Sequence, residues 1–191
     1  LVKINSIQFE SRQADTSNNL GNFYRDIHQF KEAEKHYMLA LEIRERLAKT
    51  NPAKFEPDLA NSANNLGLFY SNIQDIGKGE KYYQIAFEIR DRLAKTNPAK
   101  FEHDLATTAN NLGNFYNSVY RTEEAEKYFI LALSISKRLA EINPTRFEPY
   151  LAGVANNIGI FYHFIRHMDE AEKHYLQAIE ISERLAKSNI P

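Results

Sequence analysis

Apolar positions along residues 51–96 fall into two helical stripes divided by a polar turn. Leu59, Ala63, Leu66, Tyr70 and Ile73 recur at i+3/i+4 spacing, which predicts one amphipathic helix, helix A, of about 16 residues. Pro57 suits its first turn, where a missing N–H costs nothing. The preceding Asn51-Pro52-Ala53-Lys54-Phe55-Glu56 reads as a loop, because Pro52 cannot continue a helix and Asn tolerates the left-handed cap position. After a short turn around Gln74-Asp75-Ile76-Gly77, the positions Tyr82, Tyr83, Ala86, Ile89, Leu93 and Ala94 mark a second helix, helix B, from about Gly79 to Lys95. No stretch alternates as a strand would.

This helix pair recurs. Asn18-Asn19-Leu20-Gly21-Asn22-Phe23-Tyr24 returns as Asn64–Tyr70, Asn110–Tyr116 and Asn156–Tyr162, each copy 46 residues after the last. A constant period of this size implies stacked supersecondary units, each needing a neighbour to cover its apolar face. The expected organisation is one array over residues 1–191, with repeats at approximately 5–50, 51–96, 97–142 and 143–188. Leu1-Val2-Lys3-Ile4-Asn5 and Leu185-Ala186-Lys187-Ser188-Asn189 stand at the same phase of the repeat as Leu47-Ala48-Lys49-Thr50-Asn51. With no initiator Met, this suggests a piece of a longer protein.

Gly21, Gly67, Gly113 and Gly159 fall in mid-helix, where Gly costs roughly 1 kcal/mol against Ala. Its presence in every copy implies close approach of the partner helix, with Ala33, Ala125 and Ala171 as the natural opposing surface. Repeat two carries Gly79 there and adds Gly77, which predicts a weaker hairpin and stabilisation by Gly79→Ala of up to ~1 kcal/mol. Phe9, Phe55, Phe101 and Phe147 are expected to plug the gaps between adjacent hairpins. Helix B carries i,i+4 pairs such as Glu42–Arg46, Glu45–Lys49, Glu88–Arg92 and Glu180–Arg184, a solvated face rather than a site.

Composition narrows the function. Twenty-four basic against 25 acidic residues argue against a general nucleic-acid or anionic-membrane binder. The absence of cysteine excludes disulfides, thiolate catalysis and zinc–cysteine sites, and suits a cytoplasmic setting. No apolar run approaches the ~18 residues of a membrane span.

The series Leu20, Gly21, Tyr24, Ala33, Tyr37, Ala40 resembles a tetratricopeptide repeat, as do Leu112, Gly113, Tyr116, Ala125, Phe129, Ala132 and Ile158, Gly159, Tyr162, Ala171, Tyr175, Ala178. Repeat two fits except at Gly79. The Asn-Asn-Leu opening and the Glu-Ala-Glu-Lys start of helix B are most similar to the long repeats of the kinesin light chain kind. A period of 46 exceeds both the 34-residue family norm and the long class, and helix B is expected to absorb a turn or two of the excess, with a structured loop after it. The resemblance implies an all-α fold: an α-solenoid of stacked helix-turn-helix repeats, about eight helices in a right-handed superhelix.

The same resemblance implies that the helix A face opposite the core stripe lines a concave groove. That face holds Asp15, Asn19, Asn22 and Asp26; then Asn61, Asn65, Leu68 and Asn72; then Thr107, Asn111, Asn114 and Ser118; then Gly153, Asn157, Ile160 and Phe164. Asn18, Asn64, Asn110 and Asn156 flank it. Such an Asn ladder, with a donor and an acceptor in each amide, could bond an extended peptide backbone. Equally, these amides could satisfy neighbouring loop or helix groups. The face runs from acidic at Asp15 and Asp26 to apolar at Ile160 and Phe164. The family's two-carboxylate clamp is rejected: Asn18 stands where Lys is needed, Thr107 and Asn111 where Lys and Arg are needed, and only Asn22 and Asn65 match.

Chemistry has little support. His163 and His167 have metal-ligand spacing, with Asp169 and His174 nearby, yet His167 falls in a turn and no HExxH motif is present. The expected function is a non-enzymatic, cofactor-free scaffold binding another protein or peptide. The alternative is a structural module stacking end to end through its terminal repeats. An RNA-binding array is disfavoured because the groove lacks phosphate-binding cations, Arg25 being nearly alone.

Overall fold

The structure, a computed structural model, describes residues 2–188. The chain divides into two compact units between Thr96 and Asn97. The first contains α1 (Val2–Asp26), α2 (Phe30–Thr50), α3 (Pro52–Asn72) and α4 (Ile76–Thr96); the second contains α5 (Pro98–Ser118), α6 (Thr122–Ile142), α7 (Pro144–Phe164) and α8 (Met168–Ser188). No strand occurs among the described residues. Within each unit helix A packs on helix B of its own hairpin, and helix B packs on helix A of the following hairpin. This is the all-α, stacked helix-turn-helix arrangement of a solenoid. Two 21-residue helices, a three-residue turn and a single Asn between hairpins fill the 46-residue period.

Helix A is longer than the apolar spacing predicts. It starts at Pro52 rather than near Pro57, and the stretch read as a loop is its opening turns. The reason is a shared cap. Asn51 is extended (φ −152°, ψ 86°), and its Oδ1 accepts the Lys54 N–H at 3.2 Å, with Pro52 at the first helical position. The Asn51 N–H meanwhile donates to the Leu47 carbonyl at 3.1 Å and closes α2. Asn143 does both between α6 and α7, at 3.1 and 2.9 Å. One residue thus ends a helix and begins the next, leaving no structured loop and no extra turns on helix B alone. Pro57 and Pro149 lie inside their helices, each forgoing one i→i−4 bond.

Helix B also begins earlier, at Ile76, so Gly77 is helical and the turn is Ile73-Gln74-Asp75. Gln74 is left-handed (φ 61°); its N–H donates to the Ser71 carbonyl at 3.1 Å, and the Asp75 N–H donates to the Tyr70 carbonyl at 2.9 Å. This is a Schellman cap. His28, Tyr120 and Arg166 hold the same position with φ of 60°, 63° and 65°.

The mid-helix glycines do mark close approach, but what approaches is not the alanine expected from spacing. A Cβ on Gly21, Gly67, Gly113 or Gly159 would stand 2.6–2.7 Å from the ring of Tyr37, Tyr83, Phe129 or Tyr175. An aromatic ring takes the depth that the missing side chain leaves, while Ala33, Ala125 and Ala171 are buried elsewhere on helix B. Phe55, Phe101 and Phe147 are buried, and Phe55 packs with Ala14, Ile43, Leu47 and Ala48. Phe9 is 65% exposed.

The charges of helix B are also redistributed. Arg46, Arg92, Arg138 and Arg184 cross to helix A of their own hairpin and pair with Glu10, Glu56, Glu102 and Glu148 at 2.7–3.1 Å. The glutamates lie nearer the hairpin's interior than residues i−4 on helix B, so a single cross-pair recurs in all four repeats.

Candidate functional site

The helix A amides divide into engaged and open groups. Asn65 Nδ2 donates to Asn18 Oδ1 at 2.9 Å, and Asn157 Nδ2 donates to Asn110 Oδ1 at 3.1 Å. These bonds tie helix A of one hairpin to helix A of the next, inside each unit. Asn22 Oδ1 accepts the Tyr37 hydroxyl at 2.7 Å. Asn64 and Asn111 are half-buried and make contacts of their own. Asn19, Asn114 and Asn156 are exposed. No hydroxyl stands opposite Asn114, because the residue equivalent to Tyr37 is Phe129. A spacing of one period plus one residue was the sequence signal for the Asn–Asn pairs.

Hairpin stacking is reinforced by polar groups that spacing did not single out. Arg44 is buried; it donates to Asp15 Oδ1 and Ser62 Oγ at 2.6 Å and to the Asp58 carbonyl at 3.1 Å, so Asp15 of the helix A face is already engaged. Arg90 likewise donates to Asn61 Oδ1 at 2.6 Å. The Tyr70 hydroxyl donates to Glu34 Oε1 at 2.6 Å, and that bond, assisted by Lys78, holds the Glu34 carboxyl below its usual range. Burial, with the accepting carboxylate, pushes the Tyr70 phenol up. Tyr162 repeats the arrangement with Glu126 at 2.8 Å, and burial and that bond raise it to about 12.

Each helix A tyrosine also stacks on helix B: Tyr24 on His36, Tyr70 on Tyr82, Tyr116 on Tyr128 and Tyr162 on His174, with interplanar angles of 10–12°. His174 is therefore a packing residue. Burial drives its pKa down, with Lys173 and Lys137 adding to the effect. His167 stacks on Tyr162 as well. Among the described residues no group of three His, Cys, Asp or Glu side chains is placed to hold a metal.

Beside these polar groups, the helix A face leaves apolar side chains exposed at the positions where the sequence places them. Ile160 and Phe164 of α7 are 48% and 50% exposed, and Tyr120 of the α5–α6 turn lies 5.6 Å from Phe164. In the first unit Leu68 is 37% exposed on the corresponding face. Tyr120 was hidden from periodicity because it belongs to a turn. No helix among the described residues is long and apolar enough to cross a membrane.

No curated protein sequence matches this chain. Among solved structures it is similar to BtubC (BKLC) from P. vanneervenii, with 24% identity and a TM-score of 0.73 over 93% of this chain and 65% of that one. It is similar to a putative kinesin light chain from Podosopora anserina with nearly identical TPR-like repeats, at 17% identity and TM-score 0.67, covering 93% and 77%. It is also similar to pilF of Pseudomonas aeruginosa, at 17% and 0.62, covering 91% and 63%. The chain thus spans under two thirds of the length of BtubC and of pilF. A tetratricopeptide repeat family model matches residues 13–52, 105–144 and 151–189. Tetratricopeptide repeat proteins bind other proteins or peptides, and their scaffold is typically non-catalytic. With that match over more than half of its length, and with stacked helix pairs carrying the core Gly and Tyr in every hairpin, preceded by Leu in three and by Ile158 in the fourth, the chain belongs to the tetratricopeptide repeat family.

Proposed function

We propose that this chain is a non-enzymatic scaffold whose helix A faces hold a segment of another protein. The observation that carries this reading is the exposed pair Ile160 and Phe164, extended by Tyr120, on the helix A side of the second unit. Apolar side chains on successive turns of one helix, left at half exposure one period after the open amide of Asn114, suit a peptide that offers both apolar side chains and backbone. Asn18, Asn65, Asn110 and Asn157 contribute to such a site by fixing the helix A faces, and Asn19, Asn114 and Asn156 by offering free amides. Asn22, Asn64 and Asn111 would need to exchange a partner to take part.

A displayed peptide library selected on the 191-residue chain, followed by calorimetric titration of the winners, tests this. Ile160→Ser with Phe164→Ser should weaken a selected peptide at least tenfold, and Phe9→Ser should not. Peptides that bind the double variant as well as the parent would place recognition elsewhere.

A further inference from the structure

A cleft of about 610 Å³ opens in the first unit between α1 and α3, beside the junction of α2 with α3. Ile7, Gln8, Ser11 and Arg12 of α1 form one wall, and Lys54 and Phe55 of α3 the other. By helical spacing the four α1 residues share one side of that helix, away from Glu10, which pairs with Arg46 of α2. Side-chain size sets the width of the cleft. Two periods on, His103 of α5 stands where Ser11 stands, and Tyr150 of α7 stands where Asp58 stands. Those two rings meet edge to face with centroids 4.8 Å apart, and His103 also packs on Phe147 at 5.4 Å. A serine and an aspartate cannot span that interval, so the first unit keeps open a space that the second fills with rings.

The charge of the cleft has one sign. Arg12 and Lys54 line it from opposite walls, and neither makes an ion pair among the described residues. The neighbouring carboxylates are engaged elsewhere: Glu10 with Arg46 at 3.1 Å, Asp15 with Arg44 at 2.6 Å and Glu56 with Arg92 at 2.8 Å. Asp58, half-buried one turn after Lys54, pairs with neither cation. Two periods after Arg12 stands Asp104, so the second unit places a carboxylate where the first places a guanidinium. Lys54 Nζ lies 4.9 Å from the centroid of the Phe55 ring, a cation–π contact that steadies the ammonium at the cleft. Phe55 is buried and Ile7 half-buried, and both present apolar surface, while Gln8 and Ser11 add neutral hydrogen-bonding groups.

We propose that this cleft binds a small organic anion, a carboxylate or phosphate head on a compact apolar body. The head sits between Arg12 and Lys54 and accepts a charge-assisted hydrogen bond from each. The body lies against Ile7 and Phe55 and along the aliphatic stems of the two cations. A volume of about 610 Å³ falls within the roughly 300–1,000 Å³ of small-molecule sites. This inference does not rest on the peptide-binding reading above.

Titration of 2-naphthoate and of 2-naphthyl phosphate into the isotope-labelled 191-residue chain, followed by amide resonances, tests it. At least one anion should bind saturably, with the shifts centred on residues 7–12 and 50–55. 2-Naphthamide, the same body without the charge, should bind about tenfold more weakly. Arg12→Gln and Lys54→Gln should each weaken the anion by about tenfold, with melting unchanged because both positions are exposed. Ser11→His with Asp58→Tyr, which copies the second unit, should abolish binding; if that pair melts early, Ser11→His alone carries the same expectation. The proposal is overturned by no saturable binding of either anion, by shifts centred elsewhere, by naphthamide binding as tightly as the anions, or by a filled variant that binds as the parent does.

Discussion

Gly67 lies so close to the ring of Tyr83 that a Cβ on the glycine would stand 2.6 Å from both Cδ1 and Cγ. Tyr83 is itself buried, so the ring has no free space to retreat into. The contact explains why all four hairpins place glycine in mid-helix, where its backbone freedom is otherwise a cost.

Gly67→Ala should therefore destabilise the chain despite improving helix propensity. Overpacking costs about 1–3 kcal/mol, against a propensity gain of roughly 1 kcal/mol. Urea unfolding should show a lowered midpoint, partly restored by adding Tyr83→Leu. An unchanged midpoint would mean that the helices slide apart freely.

The four Schellman turns use non-glycine residues in the left-handed region, which costs an L-residue roughly 1–2 kcal/mol. Gln74 is exposed. Gln74→Gly should stabilise by about 1 kcal/mol once glycine's greater unfolded-state entropy is counted. A thermal melt reads this directly, and a lower melting temperature would show that the Gln74 side chain has a role of its own.

The two classes of Asn make opposite predictions. Asn157→Ala removes a half-buried bond between α5 and α7 and should cost about 1 kcal/mol. Asn114→Ala, at an exposed position, should leave stability within about 0.5 kcal/mol of the parent. Equal losses for both would mean that Asn114 is architectural too.

His174 supplies a pH dependence. Burial, with Lys173 and Lys137 nearby, depresses its folded pKa, and Glu170 and Gln177 oppose this only in part. A depressed folded pKa means the unfolded chain binds the proton more readily. The stabilisation is then complete above the ordinary histidine value of about 6.5 and declines as pH falls from there towards the folded pKa. His174→Tyr keeps the stack on Tyr162, as Tyr82 and Tyr128 do on Tyr70 and Tyr116, and should flatten the melting curve between pH 7 and 5. Parallel slopes for parent and variant would exclude His174 as the source.

The helical-repeat fold is legible in the sequence because its signals are local and recur. Leu66, Gly67 and Tyr70 share one helix face by spacing alone, and four copies at a fixed interval leave only stacked hairpins as a way to bury those faces. Element ends were less legible. Asn51 resembles a loop residue because Asn serves turns and caps equally; only the paired bonds to Leu47 and Lys54 reveal a junction one residue long.

The sequence by itself determined the helix pairs, their period and the residues that face inward, because periodicity places side chains on a helix without reference to anything else. Only the tertiary structure decided which partners those side chains meet. The choice of Tyr83 rather than residue 79 against Gly67, of Glu56 rather than Glu88 for Arg92, and of Asn18 for Asn65 depends on how far one helix is shifted along the next. That shift is set by packing between helices, a property no single helix carries in its own spacing.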